Sequence, residues 1–294
     1  MSATVHLVDA SLYIFRAWYA RTPEITDTGG APVNAVHGFT RFLLDLLERA
    51  RPTHIAVAFD ESLTTSFRNA LYPAYKANRA PAPAELKCQF DDCKRIAMAL
   101  GLTVMADPCY EADDLIGSAL TALRAHGFRG VIVSADKDFG QLIGSDDEQW
   151  DPPRQRWNAA GVRARLGVDP VQVADYLALT GDAIDNIPGV PGIGAKTAAI
   201  LLGHFGTLDA LLARAEEVAF LRTRGAATAA LRLRQHADHA RLSRALTGIA
   251  LDAPVPASAM EYCRRRPEAE EFETLFERLR LGPLTRARVR ALAC

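Results

Sequence analysis

The sequence predicts an α/β protein: a mostly parallel central sheet with helices on both faces, followed by an all-helical region. Two observations carry this reading. Short apolar runs alternate with longer stretches of helical periodicity up to about residue 170, and beyond that point the strand-like runs give way to helices punctuated by Gly and Pro. A third observation concerns the strand ends, where acids stand at three of four.

In chain order, "VHLVD" (5–9), "HIAVAFD" (54–60), "LTVMA" (102–106) and "GVIVSAD" (130–136) are short apolar runs that read as buried strands. Between them, "AVHGFTRFLLDLLERA" (35–50), "AELKCQFDDCKRIAMALG" (84–101) and "LIGSALTALRAHG" (115–127) repeat apolar residues at helical spacing, with stop signals nearby. Strand and helix in alternation imply a parallel sheet covered on both faces. Ligands of open α/β sheets bind beyond the carboxyl ends of the strands. Asp9, Asp60 and Asp136 should therefore share one rim. A soft boundary near residue 170 divides a core, 1–169, from a helical region, 170–294, in which "DPVQVADYLALTG" (169–181) is a helix with its stop. The prolines and basic residues of "YPAYKANRAPAPAELK" (72–87) mark an exposed excursion after the second strand.

With 294 residues, 49% of them hydrophobic, the chain can bury a substantial core. It has no apolar run of about 18 residues, and "MSATVHLVDASLYIF" lacks the features of a signal peptide. The expectation is a cytoplasmic protein with no membrane contact. Cys88, Cys93, Cys109, Cys263 and Cys294 form no CxxC pair, which argues against a disulfide framework or a zinc site. The net charge of −1 conceals an uneven distribution: residues 221–250 hold six arginines and one acid. If nine of the 35 acids surround metal ions, the remaining 26 face 34 Lys and Arg, an excess of eight positive charges that suits a polyanion.

Glu111, Asp113 and Asp114 crowd the start of a helix in "YEADDLIGSAL", and Asp138 follows Asp136 closely. A single such Asp is ordinarily a helix cap or turn residue. Seven acids at corresponding positions, with Asp9 and Asp60, would repel one another on a common rim unless divalent cations neutralise them. Hard carboxylate ligands suit Mg²⁺ or Mn²⁺, and two such ions about 3.5–4 Å apart form the arrangement that cuts phosphodiesters. "GVPGIGAKTAAILL" (189–202) nearly matches a nucleotide-binding loop, but Ala195 interrupts the required Gly-Lys-Thr and the segment follows a helix. It reads better as a helix-hairpin-helix, in which Gly189, Gly192 and Gly194 let backbone approach a phosphate and the next helix offers its amino-terminal amides. Such a contact grips DNA backbone without reading sequence.

Taken together, "LVDASLYIFRAWYA", "VAFDESLTTSFRNALYPAYKANR", "EADDLIG", "VIVSADKDFGQLI" and "LTGDAIDNIPGVPGIGAKTAA" resemble the bacterial 5′ nuclease family, the flap endonuclease and 5′→3′ exonuclease domain also found at the amino terminus of DNA polymerase I. The resemblance runs from about residue 4 to 285. It implies a PIN-like nuclease core, a helical arch at about 63–87 and a helix-hairpin-helix at about 182–203. It implies two Mg²⁺ ions, replaceable by Mn²⁺, and leaves room for a K⁺ ion at the hairpin. Asp9, Asp60, Glu111 and Asp113 would surround the first metal; Asp136, Asp138 and Asp182 would build the second, with Asp113 able to serve both. Asp114 and Asp185 would act directly or through metal-bound water. Lys76 and Arg79 would be the arch residues that touch the scissile phosphate, Tyr75 would stack on a base and Arg68 would contact a phosphate. Gly189, Gly192, Gly194, Lys196 and Thr197 would bind DNA.

Ala10 stands where many relatives have Gly, and both Asp182 and Asp185 are present where some relatives have lost acids. No polymerase or proofreading segment follows, so the expectation is a separate nuclease, a monomer acting on DNA with a 5′ flap, nick or end and on RNA in RNA–DNA hybrids. The competing readings are a flap-restricted endonuclease, a non-catalytic junction binder and, from another class, a small-molecule phosphatase. The phosphatase explains neither hairpin nor arch.

Overall fold

The computed structural model describes residues 3–20, 25–61, 64–267 and 269–293. Leu63, at the start of the expected arch, and Cys294 lie outside the described residues. The central sheet comprises β1 (Thr4–Asp9), β2 (His54–Asp60), β3 (Thr103–Asp107), β4 (Arg129–Val133), β5 (Glu148–Asp151) and β6 (Gln155–Trp157) in the order β3-β2-β1-β4-β5-β6. All neighbours are parallel except β5 and β6. From β1 the chain steps outward to β2 and β3, then returns to place β4 on the other side of β1. That reversal opens a crevice between the carboxyl ends of β1 and β4, the usual ligand position in such sheets.

The helices of the first half are α1 (Ala10–Tyr19), α2 (Asn34–Ala50), α3 (Phe67–Leu71), α4 (Ala84–Ala99), α5 (Ala112–Ala125) and α6 (Ala159–Leu166). The second half adds α7 (Val173–Thr180), α8 (Ala195–Phe205), α9 (Leu208–Ala213), α10 (Ala226–Gln235), α11 (Ala237–Thr247), α12 (Ala269–Arg278) and α13 (Pro283–Ala293). Alternation along each strand divides the core in two. Val5, Leu7, Ala56, Ala58 and Ile132 face α5, and their apolar cluster continues without a break through Leu177, Leu202 and Leu233 of the helical region. Val8, Ile55, Val57, Phe59, Val131 and Val133 face the other way, into a cluster with α1, α2, α4 and α12. The α5 side is tight: a Cβ on Gly130 would lie 2.4 Å from Leu120 Cδ1. The carboxyl-terminal helices also tie back to the core, through Arg288 on α13, which donates to Asp45 (2.6 Å) and Glu48 (2.7 Å) of α2.

Three features went unanticipated. The segment after β1 forms α1, capped by Asp9 itself, whose Oδ1 accepts the Leu12 N–H at 3.4 Å. The segment 148–157 supplies β5 and β6, too short and too polar for a strand pattern. The excursion at 64–83 includes the one-turn helix α3 and turns that fold down onto the core. Among the described residues no helix is long and apolar enough to cross a membrane.

Candidate active site

Beyond the carboxyl ends of β1, β2 and β4 lies a cleft of about 250 Å³ lined by Asp9, Asp60, Glu111, Asp113, Asp136, Asp138 and Asp185, with Tyr75, Lys76 and Arg79 facing them. Local structure presents each acid. Asp9 caps α1 and accepts a hydrogen bond from Ser134 Oγ (2.9 Å). Asp60 accepts the Ala112 N–H (2.9 Å) and its own N–H donates to Ser11 Oγ (3.3 Å), so the end of β2 is clamped between α1 and α5. Glu111 is the first cap of α5, in a reciprocal box with Asp114. Asp136 starts the short turn of helix 137–142 and accepts the Asp138 N–H (3.0 Å), and Gln149 of β5 holds the preceding loop by donating to Ser134 O (3.0 Å).

Crowding shows in the protonation equilibria. Burial, then the charge of Asp60, pushes Asp9 up to about 7. Burial and Asp136 push Asp138 up to about 7 as well. Asp113 is driven well above the carboxylate range, first by burial and then by Asp114 and Glu111, against the pull of Arg68. Asp138 Oδ1 is buried without a hydrogen bond, 3.6 Å from the Lys137 ammonium. A set of anionic oxygens with raised pKa values and an unsatisfied buried acceptor is the chemistry a hard divalent cation stabilises. As the side chains stand, Lys76 donates to Glu111 (2.7 Å), Arg79 pairs with Asp185, and Lys137 donates to Asp182 (2.7 Å). Among the described residues no three His, Cys, Asp or Glu side chains converge on one point.

Several expected site residues are placed elsewhere. Asp114 is fully buried, outside the cleft lining, and its oxygens are filled by Arg68 (2.7 and 2.8 Å), the Glu111 N–H (3.1 Å) and the Ala250 N–H (2.7 Å). It has no lone pair turned toward a metal. Arg68, only 1% exposed, also donates to Leu246 O and Gly248 O, both at 2.9 Å, so it fastens the excursion to α5 and α11 and does not reach a phosphate. Tyr75 is 4% exposed with its hydroxyl donating to Glu111 (3.0 Å), which leaves no free ring face for a base. Asp182 lies outside the cleft lining; its Oδ1 accepts the Ile184 N–H (2.8 Å) and shapes the turn that presents Asp185. Burial alone would raise Asp182, but Lys137 brings it below the ordinary value.

The excursion is accordingly not a free arch. Lys76 adopts φ = 54°, and its N–H donates to Asp185 O (3.0 Å). Asn78 donates to Ala183 O (2.8 Å) and Asn186 to Ala74 O (2.7 Å), which joins the excursion to the 182–187 turn. Burial lowers the Lys76 ammonium, yet Glu111 and Asp185 outweigh it and the net direction is upward. Lys76 therefore stays a cation inside the cleft.

In the hairpin, Gly189 serves packing. A Cβ there would lie 2.4 Å from Gly181 N, and its own N–H donates to Ser243 Oγ (3.1 Å). Gly192 (φ = 82°) and Gly194 face open space, Gly194 caps α8 with no side-chain partner, and Lys196 is exposed beside half-buried Thr197. These four residues remain available to an anion. Sequence reading overlooked Lys137, Ser134, Ser11 and Gln149. Lys137 carried a signal, a cation between two acids in "SADKDF"; the others are ordinary polar residues whose partners lie far along the chain.

An acid-rimmed cleft at the switch point, faced by two cations, has the chemistry to take a phosphate ester. The comparisons make this narrower. Residues 4–167 match the 5′-3′ exonuclease N-terminal resolvase-like domain, and residues 168–270 match the 5′-3′ exonuclease C-terminal SAM fold. The chain belongs to the 5′-3′ exonuclease family. It is 38% identical over 294 residues to DNA polymerase I of Mycobacterium leprae, covering 98% of this chain and 31% of that protein. It is 41% identical over 257 residues to DNA polymerase I of Rhizobium leguminosarum, covering 85% of this chain and 25% of the relative. The chain thus spans about a third or less of these relatives. Among solved structures, the T5 D15 protein co-crystallised with metal ions superposes with a TM-score of 0.68 at 18% identity, covering 99% of this chain and 100% of that one. The catalytic core of Rad2 in complex with DNA substrate superposes with a TM-score of 0.66 at 13% identity, covering 100% of this chain and 93% of that one. At these identities the two structures establish a shared fold.

Proposed function

We propose that this 5′-3′ exonuclease family member hydrolyses phosphodiesters near the 5′ ends of DNA, as a 5′→3′ exonuclease and a flap endonuclease, and cuts RNA in RNA–DNA hybrids by the same chemistry. The carrying observation is the cleft, in which seven carboxylates face Lys76 and Arg79 at the sheet's switch point. Its substrate is DNA with a 5′ flap, nick or end; the chain works as a monomer in the cytoplasm. Asp9, Asp60, Glu111 and Asp113 would hold one Mg²⁺ and Asp136, Asp138 and Asp185 a second, with Mn²⁺ as a substitute and Asp182 supporting the turn beneath. Bound cations of this kind supply a nucleophilic hydroxide and stabilise attacking and leaving oxygens. The protein's own share is positional. Lys76 and Arg79 exchange carboxylate partners for the scissile phosphate and offset its developing negative charge. Gly192, Gly194, Lys196 and Thr197 would hold duplex backbone, and a K⁺ ion at the hairpin would add positive charge toward it.

The test uses a 5′-labelled flap, a nicked duplex and an RNA–DNA hybrid, each in Mg²⁺, Mn²⁺ and a chelator. Release of short labelled products in Mg²⁺ and none in chelator is expected. A folded chain that binds the flap and cuts none of the substrates in either metal would be a junction binder, and the proposal would fall.

A further inference from the structure

Outside the cleft, one cluster of nucleophilic and titratable side chains lies at the opposite, amino-terminal end of the sheet. Cys263 Sγ is 3.3 Å from His54 Nε2, and His54 Nδ1 is 3.0 Å from Thr53 Oγ1. The imidazole also stands edge-on to Phe128, with ring centroids 4.7 Å apart. Backbone contacts fix this geometry, because Cys263 pairs with His54 in a β-bridge and the Arg264 N–H donates to Thr53 O (2.8 Å). A nucleophile within reach of a base, with the base oriented by a third group, is the arrangement that activates a thiol. The other described cysteines lack it. Cys88 and Cys109 are exposed with no hydrogen-bonded histidine among the described residues, and Cys93 is buried.

We infer that Cys263 is a thiol-modification site, at which His54 assists attack of the Cys263 sulfur on small disulfides. The thiol proton passes to His54 Nε2, and the sulfur attacks one sulfur of a low-molecular-weight disulfide. A new S–S bond forms on Cys263 as the reagent's own S–S bond breaks. The departing thiolate takes up the proton held by His54. Cys263 is oxidised to a mixed disulfide, and half of the reagent is reduced to thiol.

The surroundings give such an adduct a consequence. Cys263 is half-buried in the seam that joins the carboxyl-terminal segment to the sheet. The next contact in that seam, from the Arg265 N–H to Gly101 O (3.0 Å), has no slack, since a Cβ on Gly101 would lie 2.2 Å from Arg265 O. A bulky adduct must part this seam, which leads into α12 and α13. Asp60 lies at the far end of β2, about 20 Å away at the usual rise per residue, so the cleft itself is untouched.

The reduced full-length chain is treated with 5,5′-dithiobis(2-nitrobenzoic acid) at neutral pH, and modified sites are followed over time by peptide mass mapping. Cys263 should react about tenfold faster than Cys88 or Cys109, although both of those are more exposed. In His54→Gln, Cys263 should fall to their rate or below, with Cys88 and Cys109 unchanged as the check that the fold is intact. Cys263 reacting no faster than the two exposed thiols in the unmutated chain overturns the inference on its own, and so does a fast Cys263 in folded His54→Gln.

Discussion

The two sides of the cleft are built differently. On the side of β2 and α5, Glu111 and Asp114 meet Arg68 in a buried network that also engages backbone at 246–250, and every oxygen of Asp114 is used. On the side of β4 and the 182–187 turn, Asp138, Asp182 and Asp185 meet Lys137 and Arg79, whose side chains are 37% and 36% exposed. Buried paired charges are costly to separate, and pairs with one partner reaching solvent contribute less to stability. The first side is therefore tied to the fold, and the second can change partners without disturbing it.

The largest expected effect breaks the first side. Arg68→Ala leaves Asp114 charged and unpaired in the interior, a loss of about 3–5 kcal/mol by comparison with other broken buried pairs. Urea denaturation measures it. On the other side, Asp185→Asn should change stability by less than about 1 kcal/mol while flap cleavage collapses. If Arg68→Ala kept wild-type stability and lost only DNA affinity, Arg68 would be a phosphate contact and the contrast between the two sides would fail.

Lys76 lies between the two sides, paired with Glu111 through its ammonium and with Asp185 through its backbone. Lys76→Ala should slow single-turnover cleavage roughly 10²-fold, about 2.7 kcal/mol of barrier, and weaken flap binding far less. A variant within twofold of the wild-type rate would remove Lys76 from the chemistry.

Acidity sharpens the comparison next. Asp9 and Asp138 sit near 7 in the folded chain and at 3.8 ordinarily, so between about pH 4 and 7 the native state binds more protons than the unfolded one. Stability of the metal-free protein should fall as pH rises through that window. Added Mg²⁺ should raise Tm more at pH 7.5 than at pH 5. Asp9→Asn should flatten part of the slope. A metal-free Tm that climbs steadily from pH 5 to 7.5 contradicts the assignment.

How much of this was legible in the sequence depended on the range of the interaction. Buried parallel strands are continuous apolar runs, so β1 to β4 and the acids at their ends could be read directly. The capped helix α1 was hidden because Asp9 serves both as cap and as rim acid. Arg68 looked like a basic arch residue, since its partner Asp114 stands 46 positions away. Gly189 looked like a phosphate glycine because nothing in the local sequence reports that Gly181 would collide with a side chain there. The hairpin glycines that face open space, Gly192 and Gly194, are the ones whose role is set locally.

The smallest expected effect lies in that hairpin, at a residue that belongs to neither set of ion pairs. Lys196 is exposed next to the uncapped start of α8, so it can meet one phosphate without disturbing the fold. Each neutralised phosphate contributes about 0.9 to the slope of log affinity against log salt on duplex DNA. Lys196→Ala should therefore flatten that slope by roughly one and weaken binding evenly across duplex sequences, with stability and single-turnover rate at saturating enzyme unchanged. The measurement is a salt titration of duplex affinity in Ca²⁺, for wild type and variant, on two duplexes of equal length and different sequence. An unchanged slope would take Lys196 off the DNA path. A loss confined to one duplex would mean that the hairpin reads bases, against the backbone contact proposed for it.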